Sequence, residues 1–128
     1  MGHRVMLILY VAEQRRSSEF YRRVLDQDAR LDVPGMTEFV VGEDVLLGLM
    51  PEAGIKRLLG DAMPDPASAS GTPRAELYLR VAGAAVYHKR ALAAGARQLS
   101  GMAMRDWGEV VAYSMDPGGH VLAFAEQF

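Results

Sequence analysis

In the stretch RAELYLRV, residues 74–81, an acid, a phenol and a guanidinium recur at every second position: Glu76, Tyr78 and Arg80. A strand sets successive side chains on opposite faces, so these three share one face while Leu77, Leu79 and Val81 share the other. The apolar face belongs against a core. The polar face carries the possible chemistry: a carboxylate that meets a cation or moves a proton, a phenol that donates or accepts, and a guanidinium shaped for a carboxylate or phenolate. Glu76 and Arg80 are two same-face positions apart, within reach of a direct or water-bridged pair, so a structural ion pair and a ligand contact are both open. Buried without a cation, the Glu76 carboxylate would serve as an acid or a proton acceptor. Nothing in the sequence places a second catalytic partner beside it.

Other reactive types are sparse. There is no cysteine, which excludes disulfides, thiolate metal sites and Cys nucleophiles. The three histidines, His3, His88 and His120, read as core-edge or surface residues. No phosphate-binding loop and no Ser-His-Asp order is present. A net charge of −2 offers no basic surface, and Arg15-Arg16 and Arg22-Arg23 are interleaved with acids, so nucleic acid is not an expected partner. No apolar run approaches the ~18 residues of a membrane span, and the start of the chain has no signal-peptide pattern. The expectation is a cytoplasmic protein that binds no membrane.

The elements that must position Glu76, Tyr78 and Arg80 follow one plan used twice. HRVMLILYV alternates as a strand, EQRRSSEFYRRVLDQ carries Phe20, Tyr21, Val24 and Leu25 at helical spacing, and ARLDV, MTEFVV and DVLLGLM are three short strands. After a helical turn at IKRLLG, the Pro-, Ser- and Gly-rich DAMPDPASASGTP reads as an exposed linker. Then AELYLRV, AAVYHKRALAAG, ARQLSGMAM, EVVAYSM and HVLAFAEQF repeat strand, helix and three strands. Aligning the helix exits puts Phe20 opposite Tyr87 and Tyr21 opposite His88. The prediction is one α+β domain over residues 1–128. Its first βαβββ module covers about 3–60, the linker about 61–74 and the second module about 75–127.

Two stretches within this plan carry a resemblance. VAEQRRSSEFYRRVL resembles the opening helix of the vicinal oxygen chelate superfamily, which includes glyoxalase I, extradiol dioxygenases and bleomycin-resistance proteins, and YSMDPGGHVLAFAE resembles its closing hairpin. The likeness runs from about residue 4 to 126 apart from the linker. It implies two βαβββ modules forming a curved mixed sheet around a cavity, helices outside, in a homodimer. It also implies four metal-ligand positions, which fall here on Met6, Gly48, Glu76 and Ala123. Only Glu76 offers a donor for a hard or borderline cation, so no metal and no other cofactor is expected.

By the same register Met6, Ile8, Tyr10, Leu46 and Met50 should face the cavity together with Glu76, Tyr78 and Arg80. Trp107, the only tryptophan, would close one end or pack at the rim. Met1, Met36, Met63 and Met115 read as core filling. The function implied is a metal-free protein that sequesters or carries a small, partly aromatic organic ligand. The alternative is a lyase, isomerase or dioxygenase of the same superfamily acting through Glu76, with or without a metal.

Overall fold

Alternating side chains make the strands and helical spacing makes the helices, and in the computed structural model both fall where the sequence pattern puts them. Residues 2–128 are described; Met1 lies outside them. The first module comprises β1 (Val5–Val11), α1 (Gln14–Leu25), β2 (Leu31–Val33), β3 (Met36–Gly42) and β4 (Val45–Pro51). A short helix α2 (Glu52–Leu59) and two 3-10 turns, Gly60–Ala62 and Pro66–Ala69, lead onward. The second module comprises β5 (Glu76–Arg80), α3 (Ala84–Ala93), β6 (Arg97–Met104), β7 (Glu109–Met115) and β8 (Val121–Gln127).

Each module folds into its own four-stranded mixed sheet, in the orders β1-β4-β3-β2 and β5-β8-β7-β6. The first strand of each module runs parallel to the last, with Ile8 opposite Gly48 and Tyr78 opposite Ala123. The remaining pairings are antiparallel. The repeat seen in the sequence is therefore a repeat in space, with matching register.

One face of each sheet is buried under a helix. Leu9, Val11, Phe39, Leu47 and Leu49 from the first sheet and Leu122 and Phe124 from the second form a single core with Phe20, Tyr21 and Val24 of α1 and Ala84 and Ala91 of α3. Leu77, Leu79 and Val81 pack against that core, as the alternation requires. The two helices touch, and the Arg90 guanidinium donates to the carbonyl of Val24 through Nη2 at 2.8 Å. Tyr21 and His88, matched by the repeat, are both buried. The polar positions emerge on the opposite face of each sheet, where α2 touches only the end of β1 and β4.

The segment between the modules is more tightly held than an exposed linker. Most of its side chains face water, but Pro66 is buried. The backbone of Gly71 also lies against Gly119, so close that a Cβ at Gly119 would stand 3.0 Å from the Gly71 Cα. Gly119 has φ +87°, a conformation that suits glycine, and the close approach needs its missing side chain as well.

Candidate ligand-binding site

On the open face of the second sheet, Tyr78 and Arg80 converge on Glu109, a residue that the sequence reading did not single out. The Tyr78 hydroxyl donates to Glu109 Oε1 at 2.6 Å. Arg80 donates through Nε to Oε2 at 2.8 Å and through Nη2 to Oε1 at 3.4 Å. The indole N–H of Trp107 donates to the Tyr78 hydroxyl at 3.0 Å. Trp107 stands in the turn between β6 and β7, where its exposed ring projects beside the cluster. Arg80 also lies over the Tyr78 ring, 5.2 Å from its centroid.

The electrostatics follow from these contacts. The Tyr78 hydroxyl and the Arg80 guanidinium hold the Glu109 carboxyl below the usual carboxylate range. Burial, with the Glu109 carboxylate as acceptor, raises Tyr78, and the carboxylate raises Arg80 in turn. Beneath the cluster, Tyr78 and Tyr113 pack on a floor of Val111, Ala123 and Ala125. Tyr113 is raised by burial and then by the negative charge of Glu76.

Glu76 is therefore apart from the cluster. It shares the face of Tyr78 and Arg80, but Arg80 pairs with Glu109 and not with Glu76. Geometry explains this, because four residues of strand separate the Cα atoms of Glu76 and Arg80 by roughly 13 Å. Glu109 lies on the adjacent face of β7, whose residue Val111 is opposite Ala125, itself opposite Arg80. The signal that could have found it is the hairpin around Asp116–His120, which pairs Met115 with Val121 and so aligns the odd residues of β7 with Ala123 and Ala125.

The first sheet supplies a second group. Met6, Ile8 and Met36 crowd Gly48, where a Cβ would meet Ile8 Cγ1 at 3.1 Å and the sulfurs of Met6 and Met36 at 3.2 Å each. Met36 thus stands on the open face and not in the core. Met6 and Leu46 line a cavity of about 290 Å³ together with Val5, Val40, Val45, Gly42, Arg4, Arg30 and Asp44, all from the first module. Met50 leans toward α2, its methyl 3.8 Å from where a Cβ of Gly54 would be. Tyr10 offers its carbonyl to His120 Nε2 at 3.1 Å. The predicted residues therefore gather in two groups, one on each sheet, with Glu76 and Met50 set to the side and Tyr10 opposite Met50 at the end of β1.

These positions test the metal site implied by the resemblance, and they do not fit one. Of Met6, Gly48, Glu76 and Ala123, only Glu76 presents an oxygen donor, and the space a Gly48 side chain would use is filled by two thioethers. Among the described residues no three His, Cys, Asp or Glu side chains gather as a ligand set. His88 is buried with its Nε2 against Gln98 Oε1 at 2.8 Å, and His120 is buried on the core side beside Asp116. The Asp116 carboxylate accepts from the Tyr21 hydroxyl and from the backbone N–H groups of Gly118 and His120, which fixes the closing turn. Among the described residues no helix is long and apolar enough to cross a membrane.

Comparison with known proteins agrees with this architecture. A family model described as a glyoxalase-like domain matches residues 6–125. No curated protein matches the chain. Among solved structures, an Agrobacterium tumefaciens protein determined by NMR is 26% identical, with 100% of this chain and 99% of that one covered and a TM-score of 0.76. A glyoxalase/bleomycin resistance protein/dioxygenase family enzyme from Burkholderia phytofirmans PsJN is 16% identical at a TM-score of 0.82, over 99% of this chain and 100% of that one. A glyoxalase-related enzyme from Fulvimarina pelagi is 19% identical at a TM-score of 0.81, over 96% of this chain and 86% of that one. At such identities the latter two speak for the fold alone. With a family model spanning nearly its whole length and two βαβββ modules in matching register, this chain belongs to the glyoxalase-like domain family of the vicinal oxygen chelate superfamily.

Proposed function

We propose that the protein is a metal-free member of this family that binds a small, partly aromatic organic molecule, to sequester or carry it. The observation that supports this reading is the packing at Gly48, where the Met6 and Met36 sulfurs stand 3.2 Å from where a Cβ would be. Thioethers bind hard and borderline cations poorly, but they make an adaptable wall for an apolar molecule. Aromatic surface at Tyr78, Tyr113 and Trp107, with a few oriented polar groups, has the composition of a small-molecule site.

A homodimer is part of the proposal. Val5, Met6 and Leu7 are exposed on β1, an edge strand, and both open faces carry apolar side chains without a covering layer. A second copy would cover this surface and deepen the shallow faces into an enclosed cavity. Native mass spectrometry of the protein as purified tests the reading. The expected result is a dimer that releases an organic mass on activation; a monomer that carries and acquires no organic molecule would sink it.

A metal-free lyase or isomerase acting through Glu76 is the second reading. It is favoured by Glu76 being exposed, without an ion-pair partner among the described residues, and near enough to Tyr113 to act on its proton affinity. Exchange of solvent deuterium into a bound carbonyl compound, lost in Glu76→Gln, would support it; equal exchange in the variant would remove it.

A further inference from the structure

The two open faces share a polarity that the net charge of the chain conceals. In the second sheet the Glu109 side chain is 6% exposed and its Arg80 partner 71%. In the first sheet Glu38 is 11% exposed and its partner Arg30 56%, with Arg30 Nη1 2.5 Å from Glu38 Oε1. Each pair thus keeps its carboxylate inside and turns its guanidinium outward. Both Glu109 oxygens are already taken by Tyr78 and Arg80. What either pair offers an incoming molecule is a positive group, although the chain as a whole carries −2.

The geometry of Arg80 sharpens the point. A guanidinium has a side edge, formed by Nε and Nη2, and an end edge, formed by Nη1 and Nη2. Glu109 takes the side edge, and Nη1 makes no hydrogen bond among the described residues. The end edge is therefore held in a fixed orientation and remains free for a second, two-point acceptor. Arg80 forms part of the wall of two concavities. One, of about 250 Å³, lies between the modules and is lined by Leu25, Val40, Val41, Leu79 and Tyr87 among others. The other, of about 440 Å³, includes Glu109, Ala125 and Glu126, whose Oε1 accepts from the Ala84 N–H at 2.8 Å. In the first sheet Arg30 and Arg4, with Asp44, flank the largely aliphatic cavity of Met6 and Leu46.

From this we infer that the ligand is an organic anion, a carboxylate on a planar or aromatic body. Its carboxylate takes the end edge of Arg80, its body lies against Trp107 and the neighbouring apolar wall, and Glu109 is the positioning residue that aims the guanidinium. The inference rests on the small-molecule reading above and names the charge class of that molecule. Glu76 does not oppose it, since it stands roughly 13 Å along β5 from Arg80.

The single tryptophan makes the test direct, because its fluorescence reports only the neighbourhood of Arg80. Three probes of nearly equal shape are compared on the purified full chain: 4-hydroxyphenylacetate, its neutral amide, and the amine tyramine. The carboxylate should quench saturably and bind about ten-fold or more tighter than the amide, the difference expected of a hydrogen bond to a charged group. That preference should vanish in Arg80→Gln and be partly kept in Arg80→Lys, with folding checked by circular dichroism. Glu109→Gln should weaken the carboxylate while leaving the guanidinium charge in place. A preference that survives Arg80→Gln, or no saturable binding of the carboxylate, overturns the inference. Tighter binding of the amine or the amide overturns it too, but leaves the small-molecule reading standing. If none of the three binds and no organic mass accompanies the purified protein, both fall.

Discussion

Arg80 and Glu109, 29 residues apart in the chain, meet across the second sheet through an Nε–H···Oε2 bond of 2.8 Å, with the carboxylate turned inward and the guanidinium outward. The pair organises its surroundings, because Tyr78 and through it Trp107 hang on the same carboxylate. Glu109→Ala should therefore do more than remove a charge. It would free the Tyr78 hydroxyl and the Arg80 side edge together and release the indole. The expected outcome is a lower Tm and a shifted tryptophan emission maximum, whereas Glu76→Ala should leave both near the wild-type values. Equal effects from the two substitutions would contradict the assignment of Glu109 as the organising acid.

Acid should act through the same group. Glu109 and Glu126 are held below the ordinary carboxylate value of 4.5, the first by Tyr78 and Arg80, the second by the backbone N–H groups of Ala84 and Gly83. The folded form thus takes up these protons less readily than the unfolded form. Their contribution to stability is present above about pH 4.5 and is lost as pH falls through the lower folded-state values. Denaturation midpoints measured across that acid range should fall with pH in the wild type and fall less steeply in Glu109→Gln.

On the alkaline side, the phenols of Tyr21, Tyr78 and Tyr113 are all raised above 10.0, Tyr21 well above it through burial and its bond to Asp116. Their folded-state values exceed the unfolded ones. They therefore contribute stability that is present below pH 10 and lost as pH rises through the folded-state values. Tyrosinate absorbance followed with pH should show a late, cooperative phase that coincides with unfolding. Tyr21→Phe should reduce its amplitude.

Gly48→Ala tests how tightly this position is packed. Gly48→Ala places a Cβ 3.1–3.2 Å from Ile8, Met6 and Met36, and the flexible sulfurs can yield. The expected cost is about 1 kcal/mol, at the low end for overpacking. In a Met36→Ala background the same change should cost less, a coupling readable by a double-mutant cycle from denaturant unfolding. Additive effects would mean that the thioether does not fill that space.

The linker contact predicts a contrast between neighbouring glycines. Gly119→Ala meets both a left-handed backbone angle and the backbone of Gly71, and should cost about 2 kcal/mol or more. Gly118→Ala meets side chains alone, those of His120 and Val11 at 3.3 Å and Asp116 at 3.5 Å, and should be milder. Limited proteolysis within residues 61–74 should accelerate in Gly119→Ala and little in Gly118→Ala.

Much of this fold was legible because strand alternation and helical spacing are local signals. Leu77, Leu79 and Val81 identified the buried face of β5, and the two helix exits identified the repeat. The Arg80–Glu109 pair was not legible by the same means. β7 reads EVVAYSM, with apolar residues on both faces, so alternation alone leaves its orientation open. Pairing between β5 and β7 passes through β8; the tight turn sets the β7–β8 register, but the parallel β5–β8 register is a long-range fact that neither composition nor spacing encodes. The filling of Gly48 by Met36 was hidden for a related reason. A methionine at the start of β3 has no local mark that distinguishes a core position from a place on the open face.

We propose that packing around Gly48 stands where metal chemistry would otherwise act, and that Met6, Gly48, Glu76 and Ala123 hold no tight ion. The most direct measurement is titration of nickel, zinc and manganese into the purified protein, followed by native mass spectrometry and calorimetry. The expected result is no tight uptake of one ion per subunit, and only weak association that Glu76→Gln leaves unchanged. One tightly held ion per subunit, lost in Glu76→Gln, would contradict it.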